Sequence, residues 1–87
     1  MHEAGLMKDL MRHILETAHQ HRAARVAKVS VWLGALSHMS PQHFTEHFNA
    51  VAAGTIAEGA ELAATLSDDE HHPDAQGVLL QSIEIED

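Results

Sequence analysis

With 87 residues, the chain is long enough for one small domain, and its thirteen acidic and five basic residues give a formal net charge of −8. This acidic balance argues against binding to nucleic acid, because phosphates are bound by clustered lysine and arginine side chains. No apolar run approaches the ~20 residues that span a bilayer, and no signal peptide is recognisable, so we expect a cytoplasmic protein without membrane contact.

The first predicted element is an amphipathic helix over residues 3 to about 21. Its apolar residues recur at spacings of three and four, which places them on one stripe: Leu6, Met7, Leu10, Met11, Ile14, Leu15 and Ala18. Residues 26–33 then alternate, which predicts a half-buried strand. Its apolar face holds Val29, Val31 and Leu33, and its other face holds Lys28, Ser30 and Trp32.

A second helix is predicted to begin at Ser40-Pro41, where a serine N-cap precedes proline at the first helical position. Its buried face consists of Phe44, Phe48, Val51 and Ala52. Gly54 is well placed as a left-handed terminator, because glycine adopts positive φ without strain. The two signals together bound a helix of about three turns.

Two more strands complete the domain, over residues 60–66 and 78–86, with Leu62, Ala64 and Leu66 sharing one face of the former and Ile83 and Ile85 one face of the latter. Between them, residues 67–77 are acidic and contain Pro and Gly, which predicts a solvated loop. This order predicts an α/β domain with two helices packed on one face of a three-stranded mixed sheet. We expect the second and third strands to pair antiparallel across the acidic loop.

Small size suggests that the domain gains burial by self-association. A chain of this length buries only about 60–65% of its unfolded surface, and it has no cysteine to form a disulfide. A homo-oligomer is therefore one expectation. The lone tryptophan, Trp32, is predicted on the sheet face away from the core, where it packs either on the third strand or on a partner.

The N-terminal sequence Met1-His2-Glu3 is a candidate metal chelate. A free α-amine, an imidazole one residue later and the intervening backbone amides form a compact set of nitrogen ligands, provided that nothing precedes Met1. Divalent nickel and copper favour a square-planar nitrogen set, and they can displace amide protons to complete it. Nine histidines among 87 residues also suit a metal-handling protein.

Several blocks of the sequence, in order, resemble the HypA/HybF family of hydrogenase-maturation nickel chaperones. They are Met1-His2-Glu3, residues 29–37 (Val-Ser-Val-Trp-Leu-Gly-Ala-Leu-Ser), Ser40-Pro41, Phe44, Phe48, residues 54–62 and residues 82–86. The resemblance implies one HypA-like nickel-binding domain over residues 1–87. It also implies Ni(II) binding at Met1, His2 and Glu3, with a GTP-hydrolysing maturation protein and a hydrogenase large subunit as partners.

The sequence departs from that family at one place. The family carries a zinc lobe built on two Cys-x-x-Cys pairs between its last two strands, whereas this chain has the cysteine-free acidic loop 67–77. A closed thiolate zinc site is therefore impossible, and no zinc is expected. The sequence is compatible with natural loss of the lobe and with its deliberate removal.

Two other histidine pairs are candidates for weaker metal binding. His71 and His72 lie among acidic residues of the 67–77 loop, and they form a second candidate metal site that would collect ions at low affinity. His43 and His47 are four residues apart on the second helix, a spacing that can clamp a metal ion. The sequence favours an interpretation of His43 and His47 as surface histidines at the margin of the buried face.

These features predict a non-catalytic metallochaperone that delivers nickel for [NiFe]-hydrogenase maturation. No cysteine nucleophile, glycine-rich phosphate loop or serine elbow supports an enzyme. The alternative is a scaffold without the zinc lobe that serves as an interaction or assembly module, in which metal binding is incidental.

Overall fold

The computed structural model describes residues 3–87, with side chains from Gly5 onward. The chain forms five elements, namely α1 (Glu3–Gln20), β1 (Arg25–Leu33), α2 (Pro41–Ala52), β2 (Glu61–Leu66) and β3 (Val78–Glu86). The predicted order of helices and strands is confirmed, as is the prediction of two helices on a three-stranded mixed sheet. In the described part of the chain, no helix is long and apolar enough to cross a membrane.

The first strand, β1, lies in the middle of the sheet, in the order β2-β1-β3. It pairs in parallel with β2 and antiparallel with β3. The prediction that β2 and β3 pair with each other is therefore wrong. Alternating apolar residues indicate which face of a strand is buried and do not indicate its neighbour, and an eleven-residue loop is long enough to cross the end of β1.

One face of strand β1 is buried and forms one side of the hydrophobic core. Val29, Val31 and Leu33 are fully buried, as the alternation predicts, and so is Val26. Val26 and Val29 face the same side although they are three residues apart, because the pairing of β1 with β3 is irregular between them. Val26 pairs with Ile85 and Lys28 with Glu84, which leaves Ala27 without a partner on β3. A bulge of this kind returns the next side chain to the same face.

Both helices pack on that apolar face. Met7 and Ile14 of α1 and Phe44 and Phe48 of α2 are fully buried against it. On β2, the predicted face is confirmed only in part. Leu62 and Ala64 pack against the core, but Leu66, at the end of this edge strand, is 53% exposed.

The two sequence signals that bound α2, Ser40-Pro41 at its start and Gly54 after its end, act as predicted. The Ser40 Oγ accepts a hydrogen bond from the His43 backbone N–H at 3.1 Å, and Pro41 occupies the first turn. At the other end, Gly54 has φ of +81° and follows the C-cap residue Ala53. Thr55 then caps the helix again, because its backbone N–H and its hydroxyl both donate to the Ala52 carbonyl.

The acidic loop 67–77 is docked on the end of β1, whereas the sequence predicts a solvated segment. Its Ala75 is buried, and the Ala75 carbonyl accepts a hydrogen bond from the Leu36 N–H at 2.7 Å. The Gly34 N–H donates to the Gly77 carbonyl at 2.9 Å. A Cβ at Gly34 would overlap the Ala75 carbonyl, so glycine is required there for this close approach. The order β2-β1-β3 explains the docking, because the loop must pass β1 to reach its other side.

Candidate metal centre

The principal candidate site, Met1 with His2 and Glu3, lies at the beginning of α1. Met1 and His2 lie outside the described residues, and Glu3 is described only as the first helical residue. The first backbone N–H groups of any helix lack intrahelical partners. The ligand set therefore stays a prediction.

An open groove of about 730 Å³ runs beside the first turns of α1. Three parts of the chain meet there: α1 at Leu6, the β1–α2 connection, and the end of the acidic loop. Its lining consists of Leu6, Leu36, Ser37, His38, Met39, Gln76, Gly77 and Val78. No local signal in the sequence assigns a role to His38. The fold nevertheless places His38 in the groove lining, with an exposed side chain and φ of +60°.

His71 and His72 have different surroundings. The His72 ring lies against Trp32, with ring centroids 4.6 Å apart, and its Nδ1 accepts a hydrogen bond from the Asp74 backbone N–H at 2.9 Å. His71 is exposed, and its backbone N–H donates to the Asp69 carboxylate at 3.0 Å. Nδ1 of His72 is thus engaged in holding the loop. A metal site at this pair stays a prediction.

His43 and His47 lie together on α2. Their rings are stacked, with centroids 4.7 Å apart and an interplanar angle of 29°. Both side chains are half-buried, at the margin of the buried face of α2. Among the residues whose side chains are described, no three His, Asp or Glu groups come close enough together to hold a metal ion.

The charges of the domain are mainly negative and exposed. From Gly5 onward, where side chains are described, three basic groups form ion pairs with carboxylates: Arg12 with Asp9 at 3.3 Å, Arg25 with Glu86 at 3.0 Å and Lys28 with Glu61 at 3.5 Å. These pairs are largely solvated and contribute little to stability. They leave the excess of acidic groups to dominate the surface, which favours attraction of cations over anions.

Comparison with known proteins identifies the family. A family model described as a hydrogenase/urease nickel incorporation metallochaperone, HypA, matches residues 1–71. Hydrogenase maturation factor HypA of Methanosarcina acetivorans is 39% identical over 62 residues, which cover 71% of this chain and 47% of that protein. HypA of Rhizobium leguminosarum bv. viciae is 40% identical, with 71% and 55% covered. HypA 2 of Bradyrhizobium diazoefficiens is 42% identical with the same coverage.

The fold agrees with that family. The solution structure of the Ni metallochaperone HypA from Helicobacter pylori matches with a TM-score of 0.78, over 99% of this chain and 98% of that one. The sequences are 19% identical, so this likeness supports the architecture alone.

Two helices packed on one face of a mixed three-stranded sheet define a small α/β domain. The chain belongs to the HypA family of nickel metallochaperones. It spans about half the length of the curated relatives that it matches. Like the rest of the chain, the segment where the resemblance places a zinc lobe has no cysteine.

Proposed function

We propose that this chain is a non-catalytic nickel carrier that binds Ni(II) at Met1, His2 and Glu3 and delivers it for [NiFe]-hydrogenase maturation. Membership of the HypA family is the observation that carries the proposal. The curated relatives are named hydrogenase maturation factors, which favours hydrogenase over urease as the enzyme that receives the metal.

The start of helix α1 suits nitrogen coordination. The helix begins at Glu3, and the amides of its first turn are not used in intrahelical hydrogen bonds. The partial positive charge at a helix N-terminus opposes a cation. Loss of an amide proton to the metal removes that conflict, because the deprotonated nitrogen is negative. Nickel and copper are the divalent ions that favour this planar nitrogen set.

Delivery requires release as well as binding. A site with few protein ligands can exchange its ion with a partner, whereas a closed cage holds it. Binding is also coupled to pH, because the imidazole and the amine must lose protons before they coordinate. Affinity should fall as the pH is lowered through the range in which free imidazoles and α-amines titrate, roughly 6 to 8.

The partners belong to this proposal as well. We propose transfer to a GTP-hydrolysing maturation protein and then to the hydrogenase large subunit. The acidic surface, with a net charge of −8, would favour a docking surface rich in lysine or arginine on the receiving protein. The GTPase would supply the hydrolysis, so this chain needs no catalytic group of its own.

Isothermal titration with Ni(II) tests the site. The intact chain should bind one ion tightly, and His2→Ala should lower that affinity at least tenfold. His19→Ala is the matched control, because His19 is exposed at the opposite end of the same helix. X-ray absorption of the loaded protein should report planar nitrogen coordination. Equal affinities for the intact chain and His2→Ala would reject the site.

The alternative function, an assembly module with incidental metal binding, makes the opposite prediction. Under that hypothesis, His2→Ala would leave complex formation and hydrogenase activity in cells unchanged. The carrier proposal expects His2→Ala cells to lose hydrogenase activity and to recover it when excess nickel is supplied. A masked amine at Met1 in the native protein, detected by mass spectrometry, would favour the assembly module.

A further inference from the structure

Strand β3 (Val78–Glu86) is an edge of the sheet. It pairs with β1 on one side, and in the described part of the chain no strand lies on its other side. One row of its backbone N–H and C=O groups therefore has no strand partner there. Proteins commonly protect such an edge with lysine or proline, and β3 contains neither. A bulge at Gln81, which has no register partner on β1, leaves residues 82–86 as the regular stretch of this edge.

The apolar side of β3 is incompletely covered. On β1, the side chains that face the helices are fully buried: Val26, Val29, Val31 and Leu33. Their register partners on β3 pack against the same core but are only half-buried: Ile85, Ile83, Leu80 and Val78. The core therefore reaches this edge of the sheet and is not closed there. A further strand beside β3 would remove more of that apolar surface from water, which is favourable.

A groove of about 450 Å³ lies beside the beginning of the same strand. Helix α1 contributes Leu6, Asp9, Leu10 and His13 to its lining, and β3 contributes residues 78–80. Within that range, Leu79 is 40% exposed. A free strand edge next to an apolar groove is an arrangement by which domains add an extended peptide to a sheet. Main-chain hydrogen bonds then supply affinity, and the groove selects side chains.

The charge of this edge indicates what kind of segment it accepts. Glu84, Glu86 and Asp87 are exposed at the end of β3, and they outnumber Arg25 and Lys28, the basic residues beside them on β1. A second copy of the chain would bring the same acidic residues and a further net charge of −8. Like charges disfavour that pairing, whereas a basic segment is attracted.

We propose that the free edge of β3 is a docking site for an extended segment of a partner protein in which apolar residues alternate with lysine or arginine. The segment adds a fourth strand along residues 82–86. Its apolar side chains extend the core beside Ile83 and Ile85 and enter the groove, while its basic side chains lie beside Glu84 and Glu86. The site does not use the N-terminal metal ligands, so it stands if nickel binding at His2 fails.

A hexapeptide of alternating valine and lysine, blocked at both ends, is the probe. Added to the isotope-labelled intact chain, it should shift the amide resonances of residues 78–86 and slow amide hydrogen exchange within residues 82–86. Two hexapeptides are matched controls. The valine–glutamate peptide reverses the charge and the serine–lysine peptide removes the apolar side, so each should bind at least fivefold more weakly.

Variants of the chain locate the site. Glu84→Lys should lower the affinity for the valine–lysine peptide at least fivefold, whereas Glu58→Lys makes the same charge change at an exposed residue before β2 and should not. Leu79→Ser should weaken binding at least threefold. Leu66→Ser is its control, because Leu66 is exposed on the opposite edge strand. Dispersed amide spectra without peptide establish that each variant is folded.

Several outcomes would overturn the proposal. Failure of the valine–lysine peptide to bind at millimolar concentration would reject the site, and equal binding of the valine–glutamate peptide would reject the chemistry of the partner. Shifts centred on β2 would assign binding to the other edge. A dimer of the intact chain in sedimentation, with an interface formed by residues 78–86, would show that a second copy occupies this edge.

Discussion

The His72 ring lies on the indole of Trp32, with centroids 4.6 Å apart and planes inclined by 47°. This contact attaches the acidic loop to the sheet face that the helices leave open. Trp32 faces Leu79 of β3 and Thr65 of β2 in register, so the imidazole covers an apolar position at the centre of that face. The tryptophan that the sequence predicts to pack on the third strand or on a partner is thus partly covered by the chain itself.

Trp32 fluorescence should report on this contact, because the chain has a single tryptophan. We expect His72→Ala to expose the indole to water and to move its emission to longer wavelengths. His71→Ala is the control, since it removes the adjacent imidazole and leaves the Trp32 contact in place. Equal spectra for His72→Ala and the unmodified chain would show that the loop does not shield Trp32 in solution.

Gly34→Ala should destabilise the domain. A Cβ at this position would overlap the Ala75 backbone, and relief of such overpacking costs roughly 1–3 kcal/mol. Gly5→Ala is the opposite case, because Gly5 lies in α1 and no atom of the described side chains lies within 4 Å of the position that its Cβ would take. Alanine there should stabilise the helix by about 0.5–1 kcal/mol. Urea unfolding measures both, and a neutral Gly34→Ala would contradict the docking of the loop.

Arg22→Gly should stabilise the protein by about 1 kcal/mol, because Arg22 has φ of +55° at the end of α1 and left-handed backbone is unfavourable for residues with a Cβ. The Ala23 N–H donates to the Ala18 carbonyl and the Arg22 N–H to the His19 carbonyl, a helix-ending motif that favours glycine. Thermal unfolding should show a rise of about 4–8 °C. Arg22→Ala removes the charge and keeps the strain, so it should show no such rise.

Ser40→Ala should lower the free energy of unfolding by about 1 kcal/mol, because it removes the acceptor for the His43 N–H. Ser40→Asp keeps an acceptor and should retain most of the stability. Chemical denaturation of the three chains provides the comparison. If Ser40→Ala and Ser40→Asp lost equal stability, the hydroxyl would not be acting as the cap.

Local signals account for most of what the sequence predicts correctly. The spacing of Leu and Met in α1, the Ser40-Pro41 start of α2 and the alternation of β3 depend on residues close in the chain, and the predicted bounds differ from the observed ones by about one residue. The buried face of β1 follows from the same alternation. Recognition of the family rests on short blocks in order, and it is confirmed by the family match over residues 1–71.

Long-range relationships account for the errors. Nothing local in β2 or β3 shows that each pairs with β1, so the predicted hairpin is wrong. The acidic composition of residues 67–77 gives no sign that Ala75 is buried. Its burial depends on Gly34, where a Cβ would overlap the Ala75 backbone. The stacking of His43 on His47 follows from their spacing, but their half-burial depends on the packing of α2. The proposed metal ligands Met1 and His2 lie outside the described residues, so their role stays a prediction.

The central position of β1 has a consequence for refolding. The two strands that flank β1 come much later in the sequence. The antiparallel pairing with β3 brings Leu33 beside Val78, although α2 and β2 lie between these residues in the chain. A nucleus built from α1 and β1 alone would leave both sides of β1 open, so productive nucleation must also recruit distant strands. High contact order of this kind slows folding, and we expect relaxation on the order of milliseconds rather than the microseconds of helical bundles.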